Sequence, residues 1–195
     1  MALASTAEQT KMLRALGFLG PNGTMIRNFQ RGYALGTWLA VDGQYGPKTD
    51  AALKKSYAAL KAKKPTCSPH FSFSEFRCKC GGKYAGCQGV WIHRVHVQRL
   101  EVFRNSMGKF SPVSGCRCPG HNKAVGGASS SQHLFGVATD VPGRLSTSVV
   151  RSKRLFAGIG YSQSSGKVLH VDSRDVGGHN TTGGSTVNPT IWRYA

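Results

Sequence analysis

Ser131-Gln132-His133-Leu134-Phe135-Gly136-Val137-Ala138-Thr139-Asp140-Val141, with Val168-Leu169-His170-Val171-Asp172-Ser173-Arg174 downstream, is where this 195-residue chain says most about itself. FGVATDV and KVLHVDSR are short alternating runs bounded by glycine and polar residues, the pattern of short strands. Alternation predicts that Gly136, Ala138 and Asp140 share one face, as do His170 and Asp172. Small residues beside Asp140 leave room for an ion and a substrate. His133, Asp140 seven residues on and His170 thirty further offer two imidazoles and one carboxylate. That set holds zinc and leaves one coordination position for water. Spacing alone does not separate this reading from surface or core histidines, because seven histidines in a basic chain form many accidental pairs.

Outward from these runs the chain divides in two. WIHRVHVQRLEVFRNSMG, 91–108, has helical spacing, with Val90, Val95, Val97 and Leu100 apolar and Gly108 as a stop. SPVSGCRC, 111–118, reads as a further strand. One long helix, short strands and glycine-rich loops (25 Gly in all) predict an α+β domain over 71–195. Lysines and small residues dominate 54–70, and Pro65 and Pro69 stop any helix, so 63–70 is expected to be a linker. Before it, Met12, Leu13, Leu16 and Leu19, then Ile26, Phe29 and Tyr33, recur at helical spacing. Thr49 or Asp50 is a candidate N-cap for AALKKSYAALKA. Residues 1–62 are therefore expected to form a small three-helix unit, near the lower size limit for an independent core.

The charge balance is 26 Lys and Arg against 8 Asp and Glu, a net +18. This predicts a polyanionic partner: nucleic acid, an anionic membrane or cell-wall polymers. The aromatics sit mostly at helix-core spacings rather than among the basic residues, which argues against nucleic acid. No run of about 18 apolar residues exists to span a membrane. MALASTAEQTKMLRALGFLG has no basic region followed by an unbroken apolar core, so no secretory signal is read there. The protein is expected to be a monomer that stays in a cytoplasm or is exported by some route the sequence does not show. Any acid–base or metal chemistry must draw on Glu8, Asp42, Asp50, Glu75, Glu101, Asp140, Asp172 and Asp175.

Ser131-x-His133-x-x-Gly136-x-Ala138-x-Asp140 resembles the SxHxxGxAxD signature of the zinc D-alanyl-D-alanine peptidases, which include bacterial D,D-carboxypeptidases and several phage endolysins. SGCRCPGHNKAVGGASSSQH, 114–133, is similar to that family's SGYR-xPxHN-xxxGG segment, with Cys116 where an aromatic is common. LHVDSR resembles its closing HVD strand. The resemblance covers most of 71–195 and implies a hedgehog-like α+β fold whose antiparallel sheet carries zinc. It assigns the zinc to His133, Asp140 and His170, substrate binding to Arg117, and support of a ligand or the substrate to Ser131. The implied chemistry is zinc-assisted amide hydrolysis in peptidoglycan, with Arg117 and zinc stabilising the oxyanion. Cleavage falls at a D-alanyl residue or, on the same fold, at the L-alanyl–D-glutamate bond. A wall-binding protein that keeps the metal site without catalysis is the rival reading.

The chain departs from the family at the general base. Many relatives carry Glu, Asp or His two or three residues before the last zinc histidine, where this chain has Val168 and Lys167. Asp172 becomes the candidate catalytic base, with orientation of a histidine or arginine as its competing role. His121 is a second candidate for the proton, and Lys167 a candidate substrate contact.

Residues 26–53 resemble the small helical peptidoglycan-binding repeat through Phe29, Gln30, Asp42, Gly43, Tyr45, Gly46, Thr49, Ala52 and Leu53. Most of these read as structural: Asp42-Gly43 and Gly46-Pro47 are turn residues, and Thr49 a helix cap. Trp38 and Tyr45 are the candidate sugar-stacking residues. Bacterial peptidoglycan and anionic wall polymers are the implied partners. The cysteines, Cys67, Cys78, Cys80, Cys87, Cys116 and Cys118, lack the CxxC pairs of zinc ribbons. Three disulfides, a small structural zinc at Cys78, Cys80, Cys87 and a fourth ligand, or reduced thiols all stay open.

Overall fold

The computed structural model describes residues 2–176 and 183–194. Ser5 opens α1 (Thr6–Ala15) with a capping box, its hydroxyl accepting from the Glu8 N–H while the Glu8 carboxylate accepts from the Ser5 N–H. α2 (Asn22–Gly32) buries Ile26 and Phe29 of the expected stripe, together with Met25, and Tyr33 is its buried C-cap. α3 (Pro47–Lys61) starts from Gly46 with Pro47 in its first turn, not from a Thr49 or Asp50 cap. Both of those side chains are used inside instead. Thr49 Oγ1 accepts from Gln30 Nε2 at 3.2 Å, and Asp50 accepts from the Ala4 N–H and the Tyr45 hydroxyl.

The segment expected to link two units is packed against both. Thr66, Cys67 and Ser68 are buried, and the Ala34 N–H donates to the Cys67 carbonyl at 2.9 Å. Phe73, in a 3-10 turn at Phe73–Phe76, meets Phe18 edge-on at 5.0 Å and Phe29 at 5.7 Å. Arg31 donates to the Phe135 carbonyl and Arg94 to that of Leu39. A single apolar core runs through both parts. Sharing it relieves the size problem of a helical unit of roughly 60 residues.

α4 (Arg94–Met107) ends at Gly108, as its sequence predicts. Its inward face is His96, Val97, Leu100 and Phe103, whereas Val95 is only partly buried. Two short helices follow, α5 (Pro119–Ala124) and α6 (Thr147–Ser152). Four strands, β1 (Ala138–Asp140), β2 (Gly158–Ser162), β3 (Val168–Asp172) and β4 (Thr190–Tyr194), form one sheet in the order β1-β3-β2-β4. β3 is antiparallel to both neighbours, but β4 runs parallel to β2, so the sheet is mixed rather than wholly antiparallel. SPVSGCRC contributes only a single bridge, Ser114 to Asp140. Beyond it the Cys116 N–H donates to the Phe76 carbonyl, which draws the chain off the sheet edge.

Candidate metal centre

Antiparallel pairing sets Asp140 directly opposite His170. His133 arrives from a 3-10 turn, Gln132–Phe135, that ends at Gly136 in the left-handed conformation, φ 69°. A Cβ at Gly136 would strike the Trp91 carbonyl oxygen, so both the turn and the packing require glycine there. Gly136 therefore precedes the strand and does not share the face of Ala138 and Asp140 that alternation suggested.

Three ligand atoms converge. His133 Nε2 lies 3.1 Å from Asp140 Oδ1 and 3.2 Å from His170 Nδ1, and His170 Nδ1 lies 3.0 Å from Asp140 Oδ1. The far ring nitrogens fix where the protons sit. His133 Nδ1 is 2.5 Å from the Gly115 carbonyl oxygen, an acceptor only, so that nitrogen donates. His170 Nε2 donates to Asp172 Oδ2 at 3.1 Å. In neutral rings the inner nitrogens then present lone pairs toward a carboxylate oxygen. Three acceptors this close repel one another unless a cation lies among them. Two imidazoles and a carboxylate match zinc's nitrogen and oxygen preferences.

Electrostatics agree. Burial lowers the pKa of His133 and keeps the ring neutral. Burial acts the same way on His170, but hydrogen bonds to Asp140 and Asp172 outweigh it and raise the pKa. For Asp140 burial pushes upward, and the two neighbouring histidines more than offset it and hold the carboxyl well below the usual range. The centre thus attracts one added positive charge, a proton on His170 or an ion shared by all three side chains.

Asp172 borders the same cavity as His133 and His170, but both of its oxygens are already engaged. It is fully buried, Oδ1 accepting from Arg174 Nε at 2.9 Å and the Arg174 N–H at 3.1 Å. Oδ2 accepts from Arg174 Nη2 at 2.8 Å and from His170 Nε2. Taking a proton would break this fork, so the geometry favours the competing role, orientation of the His170 ring. Burial raises its pKa, but Arg174 and His170 more than offset that and hold it low. Gly158 pairs with Asp172 across β2 and β3, and a Cβ at Gly158 would strike the carboxylate.

Arg117 pairs with Asp140 Oδ2, donates to Ser114 Oγ through Nε at 3.1 Å, and gives its N–H to the His133 carbonyl. It lines a cavity of about 560 Å³ with His133, His170, Arg174, Trp192 and Tyr194. Ser131 sits on the same wall, where the 3-10 turn begins. His121 and Lys167 do not line this cavity. The remaining acids of this part are committed elsewhere: Glu75 caps its turn at Ser72, Glu101 holds Ser68 and His70, and Asp175 is paired with Arg99.

The sequence model of the family described as peptidase M15 matches residues 69–172, a span holding Arg117, His133, Asp140, His170 and Asp172. This chain belongs to the peptidase M15 family. Over 151 residues the M15 chain is 30% identical to the zinc D-Ala-D-Ala carboxypeptidase of Streptomyces albus G. The aligned part is 63% of this chain and 59% of that protein, so the chain spans under two thirds of the relative's length.

Within the M15 match, sequence reasoning missed His96. It is fully buried, with Nδ1 against Ser173 Oγ and Nε2 against Thr139 Oγ1, both 2.9 Å, and burial pushes its pKa down to about 3. It ties residues next to Asp140 and Asp172, and nothing in its helical spacing distinguished it from a core position. Trp192 and Tyr194 lie past the matched span, on β4, and the alternation of TIWRY was their available signal. The Trp192 ring is 5.1 Å from that of His170, and the Arg174 guanidinium lies 5.1 Å over it.

Elsewhere in the M15 chain, Trp38 is 52% exposed with the Arg94 guanidinium 4.2 Å over its ring. Tyr45 is only partly buried against the core, and its hydroxyl donates to Asp50 at 2.9 Å, which is a structural use. All six cysteines are free thiols, so the disulfide alternative is not what the structure holds. Cys78, Cys80, Cys87 and Cys118 bring their sulfurs within 4.8 Å of one another, whereas Cys67 donates to the Gly32 carbonyl and Cys116 accepts from the Trp91 N–H.

Proposed function

We propose that this M15 chain is a zinc-dependent peptidase that hydrolyses an amide bond of the peptidoglycan stem peptide or cross-link at a D-alanyl residue. The carrying observation is the convergence of His133 Nε2, Asp140 Oδ1 and His170 Nδ1, with His133, His170 and Arg117 on the wall of a cavity. Zinc bound by these three atoms supplies a Lewis acid and acidifies water. The chain's own groups do the rest. The Gly115 carbonyl and Asp172 hold the two rings in the tautomers that present lone pairs inward. Arg117 has N–H donors beyond those given to Asp140 and Ser114, and a guanidinium holds a peptide carboxylate or a developing oxyanion bidentately. Trp192 and Tyr194 wall the cavity and limit water. The carboxylate-seeking arginine and the relative's printed name both favour the D-alanyl bond.

Residues 71–195 carry this chemistry, and 1–62 act as a wall-binding unit. Trp38, exposed in a groove it shares with Tyr33, Lys48 and Lys55, supports sugar stacking there. A bound wall module raises the effective concentration of enzyme on an insoluble polymer, and a net +18 draws the protein to anionic wall polymers. The protein works as a phage-type endolysin, held in the host cytoplasm until released onto the wall.

The test is mass spectrometry of purified muropeptides before and after digestion, with and without a chelator. New termini at D-alanyl bonds that vanish with chelator are expected. Unchanged muropeptides in the presence of zinc would sink the reading, and cleavage at L-alanyl–D-glutamate would reassign the bond.

A further inference from the structure

We propose that Cys78, Cys80, Cys87 and Cys118 hold a second metal ion as four thiolates in tetrahedral geometry, with zinc as the ion, and that this closed site anchors the segment carrying Arg117. The fourth ligand comes from a distant part of the chain, on the residue that follows Arg117.

Sulfur geometry carries the argument. The Cys80 sulfur lies 3.4 Å from those of Cys78 and Cys87 and 3.7 Å from that of Cys118. A tetrahedron with zinc–sulfur bonds of about 2.3 Å has edges of about 3.8 Å. A disulfide needs about 2.05 Å. An iron–sulfur cluster places several metal atoms among its sulfurs, and edges this short leave room for one. A backbone donor reaches the same cluster: the Cys118 N–H donates to the Cys78 sulfur at 3.4 Å. An amide hydrogen on sulfur favours the thiolate.

The segment itself asks for an ion. Between Cys78 and Gly89 there is no helix, no strand and no fully buried residue, and Cys80, Tyr84 and Cys87 pack only partly against the core, so apolar burial holds little of this stretch in shape. In small segments of this kind metal binding supplies the folding energy that burial does not. Through Cys118 the site also reaches the catalytic side. Arg117 lies between Cys118 and Cys116, whose N–H is fixed on the Phe76 carbonyl two residues before Cys78.

The experiment removes the other centre first, so its outcome is independent of the proposed activity. The full chain carrying His133→Ala and His170→Ala is expected to retain about one zinc per chain. Exchanged into cobalt(II), it should show sulfur-to-cobalt charge-transfer absorption, and Cys118→Ser in that background should abolish the band. Chelation should speed amide exchange in both 78–89 and 115–119. If the double variant fails to fold, native mass spectrometry of the unmutated chain is expected to count about two zinc ions. Absence of the band, an intact mass short by the hydrogens of two disulfides, or a count of one with Cys78 and Cys118 alkylated at unprotected rates would overturn the site. Faster exchange confined to 78–89 would overturn the anchoring of Arg117.

Discussion

His133, Asp140 and His170 stand on two paired strands and a turn beside a cavity, while Cys78, Cys80 and Cys87, in a stretch with no helix or strand, close on Cys118 at the start of α5. In the first cluster the protein orients every ligand by itself. Gly115, Asp172 and Arg117 bond the outer atoms of the three side chains, and strand pairing fixes their backbones. Three such side chains would leave one coordination position open on a metal, and His133 and His170 border the cavity. In the second cluster four sulfurs would use every direction of a tetrahedral ion, in a segment otherwise ordered by turn hydrogen bonds rather than by a helix or strand. A preorganised open centre suits chemistry, and a closed one suits shape. Loss of the ion should accordingly cost the first cluster its reaction and the second its fold.

The largest expected effect breaks or upholds that contrast directly. His133→Ala should lower peptidoglycan hydrolysis by at least about a thousandfold and shift the thermal midpoint far less than Cys118→Ser does. Turnover and melting measured side by side check it, and the reverse pattern would end the comparison. Asp172→Asn should come next, lowering zinc affinity by about 10–100-fold, read by chelator competition. Full affinity with a collapsed turnover would instead make Asp172 a proton carrier.

The smallest effect concerns how the open centre is braced. His96 has its pKa depressed from an ordinary 6.5 to about 3, so it stays neutral in the fold while the unfolded chain takes up a proton. The stability it contributes is present above about pH 6.5 and is lost as pH falls toward 3, at up to about 1.4 kcal/mol per pH unit. Between pH 7 and pH 5 the protein should lose about 2 kcal/mol more than the His96→Gln variant, measured by urea unfolding. Equal losses would show that His96 does not brace Thr139 and Ser173 as a neutral ring.

Much of the open centre was legible because its ligands lie in runs with local order. His170 and Asp172 share a face by strand alternation, and the ordered motifs from Ser114 to Arg174 carry the family likeness. What stayed hidden depends on partners far along the chain. The Arg174 fork and Gly158 across the sheet surround Asp172, and no spacing around Asp172 reports that both its oxygens are occupied. The 63–70 segment has linker composition, yet Cys67 and its neighbours are buried because the two parts share one core. SPVSGCRC alternates like a strand, but the Phe76 carbonyl takes the Cys116 N–H that a strand partner would have used.

Residue types and their periods by themselves determined a mixed α+β chain, a basic surface, a short supply of carboxylates and a His, Asp, His set with an arginine upstream. Those properties are local, since helical and strand periods place side chains on faces without reference to the rest of the molecule. Only the tertiary structure decided that β4 joins β2 in parallel, that Cys118 completes the sulfur cluster and that Arg174 and His170 occupy both oxygens of Asp172. Each of these depends on which distant backbone and side-chain groups compete for the same hydrogen bonds and the same buried space, and such competition is settled only when the whole chain is packed.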